Sequence, residues 1–208
     1  MIARVSHPRR LWLRHSMKAA GWTVGLVASV AAAVAVASRG DGALALAGTG
    51  AGLACLAPAW FEHRLARRAR IGALSERLVR AALSTLERGG WTVRHSVRWP
   101  QGGDIDHIAT APTGAAFVIE TKTRGFSSAH LARTRACASW VTRRRRRWAP
   151  SGAAPVLCVV HGHSQCVVME GVLVVPVDRL TGVLRSVVKA QECSAAIPVR
   201  EIVEARAV

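Results

Sequence analysis

Two long stretches without a charged side chain lie close together near the start of the chain. Residues 19–38 and 43–61 are rich in Ala and Gly, and only residues 39–42 separate them. A helix rises about 1.5 Å per residue, so either stretch is long enough to cross the roughly 30 Å hydrocarbon core of a membrane. The pattern therefore predicts a transmembrane helical hairpin over 19–61, with spans at 19–38 and 43–61.

Basic side chains flank this hairpin on both sides. Residues 1–18 contain four Arg and one Lys without an acid, and residues 62–70 contain four Arg against one Glu. Because positively charged flanks stay on the cytoplasmic side of a membrane, we expect both termini to be cytoplasmic. The predicted location is the bacterial inner membrane, with a multi-pass anchor and a basic linker over 62–70.

Small residues recur at four-residue spacing in both spans, as Gly21 and Gly25 and as Gly48 and Gly52. Such spacing lets helices approach closely, within one chain or between two copies in a homodimer. An alternative is that the small residues only reflect composition.

Two other interpretations of the hairpin stay open. Residues 35–37 (Ala-Val-Ala) resemble the cleavage site of a signal peptide, although the apolar stretch is longer than usual and a second one follows. A buried hairpin of a soluble protein would also be apolar, but the basic flanks argue against it.

Charge and hydropathy together exclude a uniform soluble globule and a disordered chain. The mean hydropathy is +0.22, yet 20% of the residues are charged and the net charge is +17, so apolar and charged residues must be segregated. An excess of basic side chains favours a polyanionic partner, either nucleic acid or an anionic lipid surface. The five Cys form no C-x-x-C pair, which disfavours a disulfide framework or a zinc site and fits a reducing compartment.

Residues 71–208 have the mixed periodicity of a separate α/β domain. We predict the elements in this order: a helix at 71–88, strands at 91–97, 104–110 and 115–122, a helix at 127–146, strands at 155–160 and 172–177, and a helix at 178–190.

Two carboxylates and a rare lysine fall at the ends of neighbouring predicted strands. The chain has only three Lys against 26 Arg, and one of them, Lys122, follows Glu120 at alternate-residue spacing. Side chains two residues apart share one face of a strand, and a hairpin between the strands would bring Asp106 to that face. Carboxylate oxygens are preferred Mg²⁺ ligands, and a nearby amine can orient water, which together suit phosphodiester hydrolysis. The alternative is an exposed cross-strand Glu–Lys pair without chemistry.

Three segments belong together as a pattern: Gly-Ala-Leu-Ser-Glu at 72–76, Asp-Ile-Asp-His at 104–107 and Phe-Val-Ile-Glu-Thr-Lys at 117–122. Together they resemble the NERD (nuclease-related domain) family of the PD-(D/E)xK, restriction-endonuclease-like superfamily. The resemblance covers about residues 71–165 and implies a restriction-endonuclease-like mixed sheet after the helical hairpin.

The resemblance also implies roles for individual residues. Asp106 and Glu120 match the metal-binding acids, for Mg²⁺ or Mn²⁺, and Lys122 matches the catalytic lysine. Glu76 matches the helix glutamate, which is expected to assist the metal site.

The chain departs from the family pattern at two places. Ser75 stands where the family usually has Gly, and residues 127–140 contain no Gln where the family often has one. His130 or Arg133 is the candidate to replace that Gln.

A run of five arginines at 143–147 lies between Trp140 and Trp148. One interpretation is a patch that binds nucleic-acid phosphates through Arg143, Arg144, Arg145, Arg146 and Arg147, or that contacts anionic lipid. The alternative is a solvated helix end whose cations favour the helix dipole.

The sequence thus predicts a membrane-anchored, Mg²⁺-dependent nuclease that acts on DNA at the cytoplasmic face. The alternative is a membrane-tethered nucleic-acid-binding module that has the nuclease fold without turnover. A third class, a basic membrane protein that binds lipid or partner proteins through the Arg run, stays open.

Overall fold

The computed structural model describes residues 7–162 and 164–193. Residues 1–6 of the predicted N-terminal segment and residues 194–208 of the predicted domain lie outside this description. Contacts within the chain define two units, a helical one, Pro8–Ala73, and a second one that begins at Leu74.

The helical unit is an antiparallel pair formed by α1 (His7–Ala37) and the first part of α2 (Gly42–Glu87). The chain reverses direction at Gly40, whose φ of +85° lies in the left-handed region that glycine adopts most readily. Asp41 Oδ1 then accepts a hydrogen bond from Leu44 N at 3.2 Å, which satisfies one of the free N–H groups at the start of α2.

Small residues bring the two helices together. A Cβ on Gly48 would lie 3.0 Å from the Cβ of Ala33, and one on Gly52 would also meet side chains of α1. At the other end of the pair, Glu62 Oε2 contacts Nδ1 of His15. Both helices are long and apolar enough to cross a membrane, and only 6% of the apolar window in each is buried.

Helix α2 differs from its predicted bounds. Residues 62–70, interpreted as a linker, are helical, and no helix begins at residue 71, because α2 runs from Gly42 to Glu87. Pro58 lies inside this helix, so it does not end the helix there.

The second unit contains a six-stranded mixed sheet in the order β1-β2-β3-β4-β6-β5. The strands are β1 (Thr92–Arg98), β2 (Asp104–Thr110), β3 (Ala116–Lys122), β4 (Ala153–Val159), β5 (Val167–Met169) and β6 (Val172–Pro176). Strands β1, β2 and β3 form an antiparallel meander, β4 runs parallel to both β3 and β6, and β5 pairs antiparallel with β6. The predicted α/β class with a mixed sheet is therefore confirmed.

Helices cover both faces of the sheet. The C-terminal part of α2 and α4 (Leu180–Cys193) enclose one core, and α3 (Ser128–Arg144) covers the other face. The first core includes Leu83, Leu184, Phe117 and Ile119, all fully buried. Strand β3 is buried on both faces over its first five residues, as its continuous apolar sequence predicts.

Three details differ from the predicted elements. Strand β5 was not predicted, α4 begins at Leu180 rather than at residue 178, and α3 ends at Arg144. The run of arginines is therefore not one helix, because a short 3-10 helix, Arg146–Trp148, follows α3 after Arg145.

Candidate active site

The register of β2 and β3 brings two carboxylates to one end of the sheet. His107 pairs with Ile119, so the next position along each strand sets Asp106 opposite Glu120. Opposed residues of an antiparallel pair project from the same face. The Asp106 Oδ2 atom also accepts a hydrogen bond from Thr121 N at 2.7 Å, which fixes the Asp106 carboxylate beside the end of β3.

Glu120 lies between two cationic side chains. Lys122 Nζ donates a hydrogen bond to Glu120 Oε1 at 3.0 Å, and Arg133 Nε lies 4.0 Å from the other oxygen, Oε2. Glu120 is buried, whereas Lys122 is only half-buried, so the amine has access to solvent at the site. The alternate-residue spacing of Glu120 and Lys122 thus gives a direct side-chain contact.

Helix α2 supplies a third acid, Glu76, to the surroundings of Asp106. Glu76 is buried, and its charge acts on Asp106. The preceding residue, Ser75, is also buried, and its hydroxyl lies 3.0 Å from that of Thr123, just after Lys122. The serine that departs from the family pattern therefore joins α2 to the end of β3.

Burial and like charges shift the titration of Asp106. Burial is the largest cause that raises the pKa of Asp106 well above its usual value, followed by the charges of Glu120 and Glu76. The N–H of Thr121 and the charge of Lys122 act in the opposite direction. A strongly shifted pKa of a buried carboxyl group is typical of functional sites.

The start of α3 carries both candidates for the position of the missing glutamine, His130 and Arg133, and only one of them lies beside the acids. His130 Nδ1 accepts a hydrogen bond from Ser127 N at 3.0 Å, so His130 caps the helix. Arg133 reaches Glu120 instead, and its Nη2 donates to the carbonyl of Asp104 at 3.2 Å. Burial is the main cause that lowers the pKa of His130, with the charge of Lys122 next.

The turn before β2 leaves room for the Arg133 guanidinium. Gly103 has a φ of +77°, and a Cβ there would lie 3.0 Å from Arg133 Nη2. A side chain at this position would therefore strain the backbone and displace the guanidinium at once.

The two facing carboxylates suit a cation that takes oxygen ligands. Among the described residues, no group of three or more His, Cys, Asp and Glu side chains is arranged to hold a metal ion. Mg²⁺ commonly takes only one or two protein carboxylates and completes its shell with water and phosphate. The pair Asp106 and Glu120 therefore fits the chemistry of Mg²⁺, whereas it does not resemble a zinc site.

A pair of histidines behind Asp106 was missed by the sequence analysis. His95 on β1 and His107 on β2 are opposite one another, and their Nδ1 atoms lie 2.7 Å apart. Burial is the main cause that lowers the pKa of His95 to about 4 and that of His107 to about 3, and Arg80 adds to both shifts. The signal that was available is that His107 directly follows Asp106 and that His95 lies on the strand before it.

The arginine run lies at the other end of α3 from the acids. Arg145 is packed between Trp140 and Trp148, with its Cζ 5.1 Å and 5.0 Å from the two ring centres. Both tryptophans are partly buried against the core, so they are not free rings on the surface. Arg143, Arg144, Arg146 and Arg147 are exposed.

Comparison with known families identifies the part of the chain that carries this site. Residues 71–160 match the model of the nuclease-related domain family, NERD, and the match includes Glu76, Asp106, Glu120 and Lys122. No curated protein and no solved structure matches the chain. The PD-(D/E)xK-like superfamily is consistent with the family match. Residues 71–160 of this chain are therefore similar to the nuclease-related domain family.

Proposed function

We propose that this protein is a membrane-anchored, Mg²⁺-dependent nuclease that hydrolyses phosphodiester bonds of DNA at the cytoplasmic face. Its α/β domain has, on this proposal, a restriction-endonuclease-like fold. The observation that carries the proposal is the meeting of Asp106 and Glu120 at one end of the sheet, within a nuclease-related domain and with Lys122 on Glu120.

Asp106 and Glu120 are the residues that would hold the metal ion. When bound, Mg²⁺ or Mn²⁺ supplies the positive charge that polarises a phosphate and makes water a better nucleophile. Both carboxylates are fixed by neighbours before any ion binds, Asp106 by the N–H of Thr121 and Glu120 by Lys122.

The side chains of the chain itself have separate roles in this mechanism. Lys122, which is half-buried, orients the attacking water and stabilises the negative charge that develops on the phosphate. Glu76 keeps the site negative, because its charge already acts on Asp106. Because Glu120 and Glu76 raise the pKa of Asp106 by repulsion, a bound divalent cation would relieve the repulsion among the three acids.

DNA binding is proposed from the charge of the protein and from the exposed members of the Arg run. The net charge is +17, and Arg143, Arg144, Arg146 and Arg147 are exposed. Phosphate contacts of this kind are independent of sequence and depend strongly on salt. Anionic lipid is the second polyanion that the same positive charge would attract.

The helical pair is proposed as a multi-pass anchor in the bacterial inner membrane, with both termini in the cytoplasm. Large apolar side chains on both helices face outward, including Val24, Val34, Leu46 and Leu53. A soluble protein would bury such a surface. The homodimer through small residues stays a prediction, and Gly48 and Gly52 already serve the contact between α1 and α2.

The test is cleavage of plasmid DNA by the full-length protein in detergent, with Mg²⁺ and with a chelator. The full chain is used because α2 is helical across residue 71, so a cut there would divide a helix that carries Glu76. We expect nicking only with Mg²⁺, and Glu120→Gln and Lys122→Met should each lower the rate at least about 100-fold.

Glu170→Gln is the matched control for Glu120→Gln. Glu170 is exposed and pairs with Arg135 rather than with the site, so its isosteric change should leave cleavage unaltered. Folded wild-type protein that cleaves neither duplex nor single-stranded DNA or RNA would contradict the proposed activity.

A non-catalytic nucleic-acid-binding module is the second candidate function. The observation that favours it is the pair of cations on Glu120, since Lys122 and Arg133 can balance its charge without a metal ion. Such a module would bind DNA with strong salt dependence and show no hydrolysis with Mg²⁺ or Mn²⁺.

A further inference from the structure

The guanidinium of Arg133 is held in place by groups that belong to the turn before β2. Nη1 donates to the carbonyl of Gly102 at 3.4 Å, Nη2 donates to that of Asp104 at 3.2 Å, and Cζ lies 5.1 Å from the ring centre of Trp99. These contacts fix the plane of the guanidinium from two sides. Arg133 therefore cannot swing toward a ligand without losing them.

One nitrogen of this guanidinium, Nε, makes no hydrogen bond with the described residues. Within the described part of the chain, Arg133 Nε is shielded from solvent and has no hydrogen-bond partner, and it faces Glu120 Oε2 at 4.0 Å. A buried N–H group without a partner is unfavourable, and proteins rarely keep one. A movement of about 1 Å by the Glu120 carboxylate would bring Oε2 to the usual N–H···O distance.

The other oxygen of Glu120 is occupied by a more mobile partner. Lys122 Nζ donates to Oε1, and an ammonium on a flexible stem can exchange one acceptor for another. The Arg133 guanidinium thus lies beside Oε2 of Glu120, and the Lys122 ammonium binds Oε1. Only the ammonium can exchange its partner, because the guanidinium is fixed by the turn.

We propose that Arg133 is the positioning residue of the metal site, an inference that rests on the proposed function. With a cation bound, Arg133 Nε–H would donate to Glu120 Oε2 and leave Oε1 for the metal ion, and Lys122 would then be available to water and phosphate. We assign Arg133 a role through Glu120 because its Nε faces that carboxylate, while Nη1 and Nη2 each donate one hydrogen bond to a backbone carbonyl that holds the guanidinium in place.

The positive charge of Arg133 weakens the binding of a cation, whereas the orientation that Arg133 gives to Glu120 strengthens it. The test variant must therefore keep the charge. A positive group near the site repels Mn²⁺, whereas a correctly oriented carboxylate binds it. Arg133→Lys keeps the charge and removes the planar donor group. Arg135→Lys is the matched control, since Arg135 lies on the same helix and pairs with the exposed Glu170.

The experiment measures the apparent Kd of Mn²⁺ for the full-length protein in detergent, with free Mn²⁺ followed by electron paramagnetic resonance. We expect Arg133→Lys to raise this Kd about 10- to 100-fold, as loss of an outer-shell partner does, and Arg135→Lys to leave it unchanged. Trp99→Phe, which weakens the stacking on the guanidinium, should raise it about 2- to 5-fold. Circular dichroism shows which variants are folded, and Trp99→Phe keeps the test available if Arg133→Lys does not fold.

The outcomes separate the two proposals. If Mn²⁺ binding is lost in Glu120→Gln and folded Arg133→Lys and Trp99→Phe bind like the wild type, the positioning role is overturned and the metal site stands. If the wild type binds no Mn²⁺, or Glu120→Gln binds it equally well, the metal site itself fails.

Discussion

The buried histidine pair makes one residue-scale contact sensitive to acid. A hydrogen bond between two Nδ1 atoms needs one protonated and one bare nitrogen, so His95 and His107 can share the contact only while at least one imidazole is neutral. His107 is fully enclosed, and its Nε2 has no partner among the described residues. The pair therefore resists protonation, which links the stability of the domain to pH.

The pH prediction follows from the direction of these shifts. Burial and the charge of Arg80 lower the pKa of His95 to about 4 and that of His107 to about 3, both below the unfolded value of about 6.5. Because folding lowers the pKa of each histidine, the stability that the histidine contributes is fully present above pH 6.5. This contribution is lost as the pH falls from 6.5 toward 4. Each histidine contributes a slope of up to about 1.4 kcal/mol per pH unit in this range.

Urea unfolding between pH 7.5 and 5 measures this dependence. His95→Gln removes one titrating group and should flatten the decrease, whereas replacement of the exposed His161 should not. Asp106, whose pKa is raised by burial, acts in the opposite direction in the wild type, so the comparison between His95→Gln and the wild type decides. Equal pH dependence of the two would contradict the prediction.

At the scale of elements, the contact between α1 and α2 depends on one glycine more than on its neighbour. A Cβ on Gly48 would lie 3.0 Å from the Cβ of Ala33 and 3.3 Å from its Cα, and backbone atoms of a helix cannot move aside alone. Gly50, two residues along the same helix, meets nothing within 4 Å. Gly48→Val should therefore separate the helices, and Gly50→Val should not.

Thermal unfolding in detergent, or resistance to protease, checks this pair of variants. We expect Gly48→Val to cost about 1–3 kcal/mol, as overpacking usually does, and Gly50→Val to cost less than about 0.5 kcal/mol. Equal effects of the two changes would show that the helices do not pack through Gly48.

Several elements could be predicted because each has a strong local signal. Strand β3 has a continuous apolar run, and the Pro112–Gly114 turn fixes the hairpin that brings Asp106 opposite Glu120. Strand β5 could not be predicted from its pattern, because it has only three residues and gains its partner from β6. The extent of α2 was missed because charged residues dominate 62–70, which resembles a linker, although Leu65, Ala66 and Ala69 lie at helical spacing and Ala66 is buried.

The orientation of the site residues was only partly available from the sequence. Two carboxylates and a lysine at strand ends indicated the site, but the choice between His130 and Arg133 depends on where α3 begins. Because His130 caps the helix, it turns toward Ser127, and Arg133 one turn later reaches Glu120. Pairing across β1 and β2, which joins the histidines, likewise needs the register.

At the scale of the whole molecule, Arg133 and the arginine run are well separated along the chain direction of α3. Arg133 lies near the start of α3 and Arg144 at its end, and this separation of eleven residues spans about 16 Å. This is about five base steps of DNA, at 3.4 Å per step along one strand. The run therefore would contact phosphates away from the scissile one and contribute to binding rather than to chemistry.

The prediction is that the exposed arginines set affinity and its salt dependence. Changing Arg144, Arg146 and Arg147 together to Gln should weaken DNA binding equally for unrelated sequences and lower the salt slope by up to about 0.9 for each lost contact. Binding titrations at several salt concentrations, with a Mg²⁺-free buffer, measure the slope.

Arg145→Gln is the informative control for this surface. Arg145 is packed between Trp140 and Trp148, so its replacement should lower stability and change the salt slope less than the exposed arginines do. A triple variant with an unaltered slope would show that the run does not contact DNA.

The two adjacent glycines before β2 differ in what a substitution would disturb. Gly102 has a φ of +113°, and a Cβ there would meet nothing within 4 Å. Gly103 has a φ of +77°, and a Cβ there would lie 3.0 Å from Nη2 of Arg133. A side chain would strain the backbone at both positions, but only at Gly103 would it also displace the Arg133 guanidinium. Gly103 is expected to be retained wherever the helix carries an arginine at position 133, and to vary where a smaller residue takes that place.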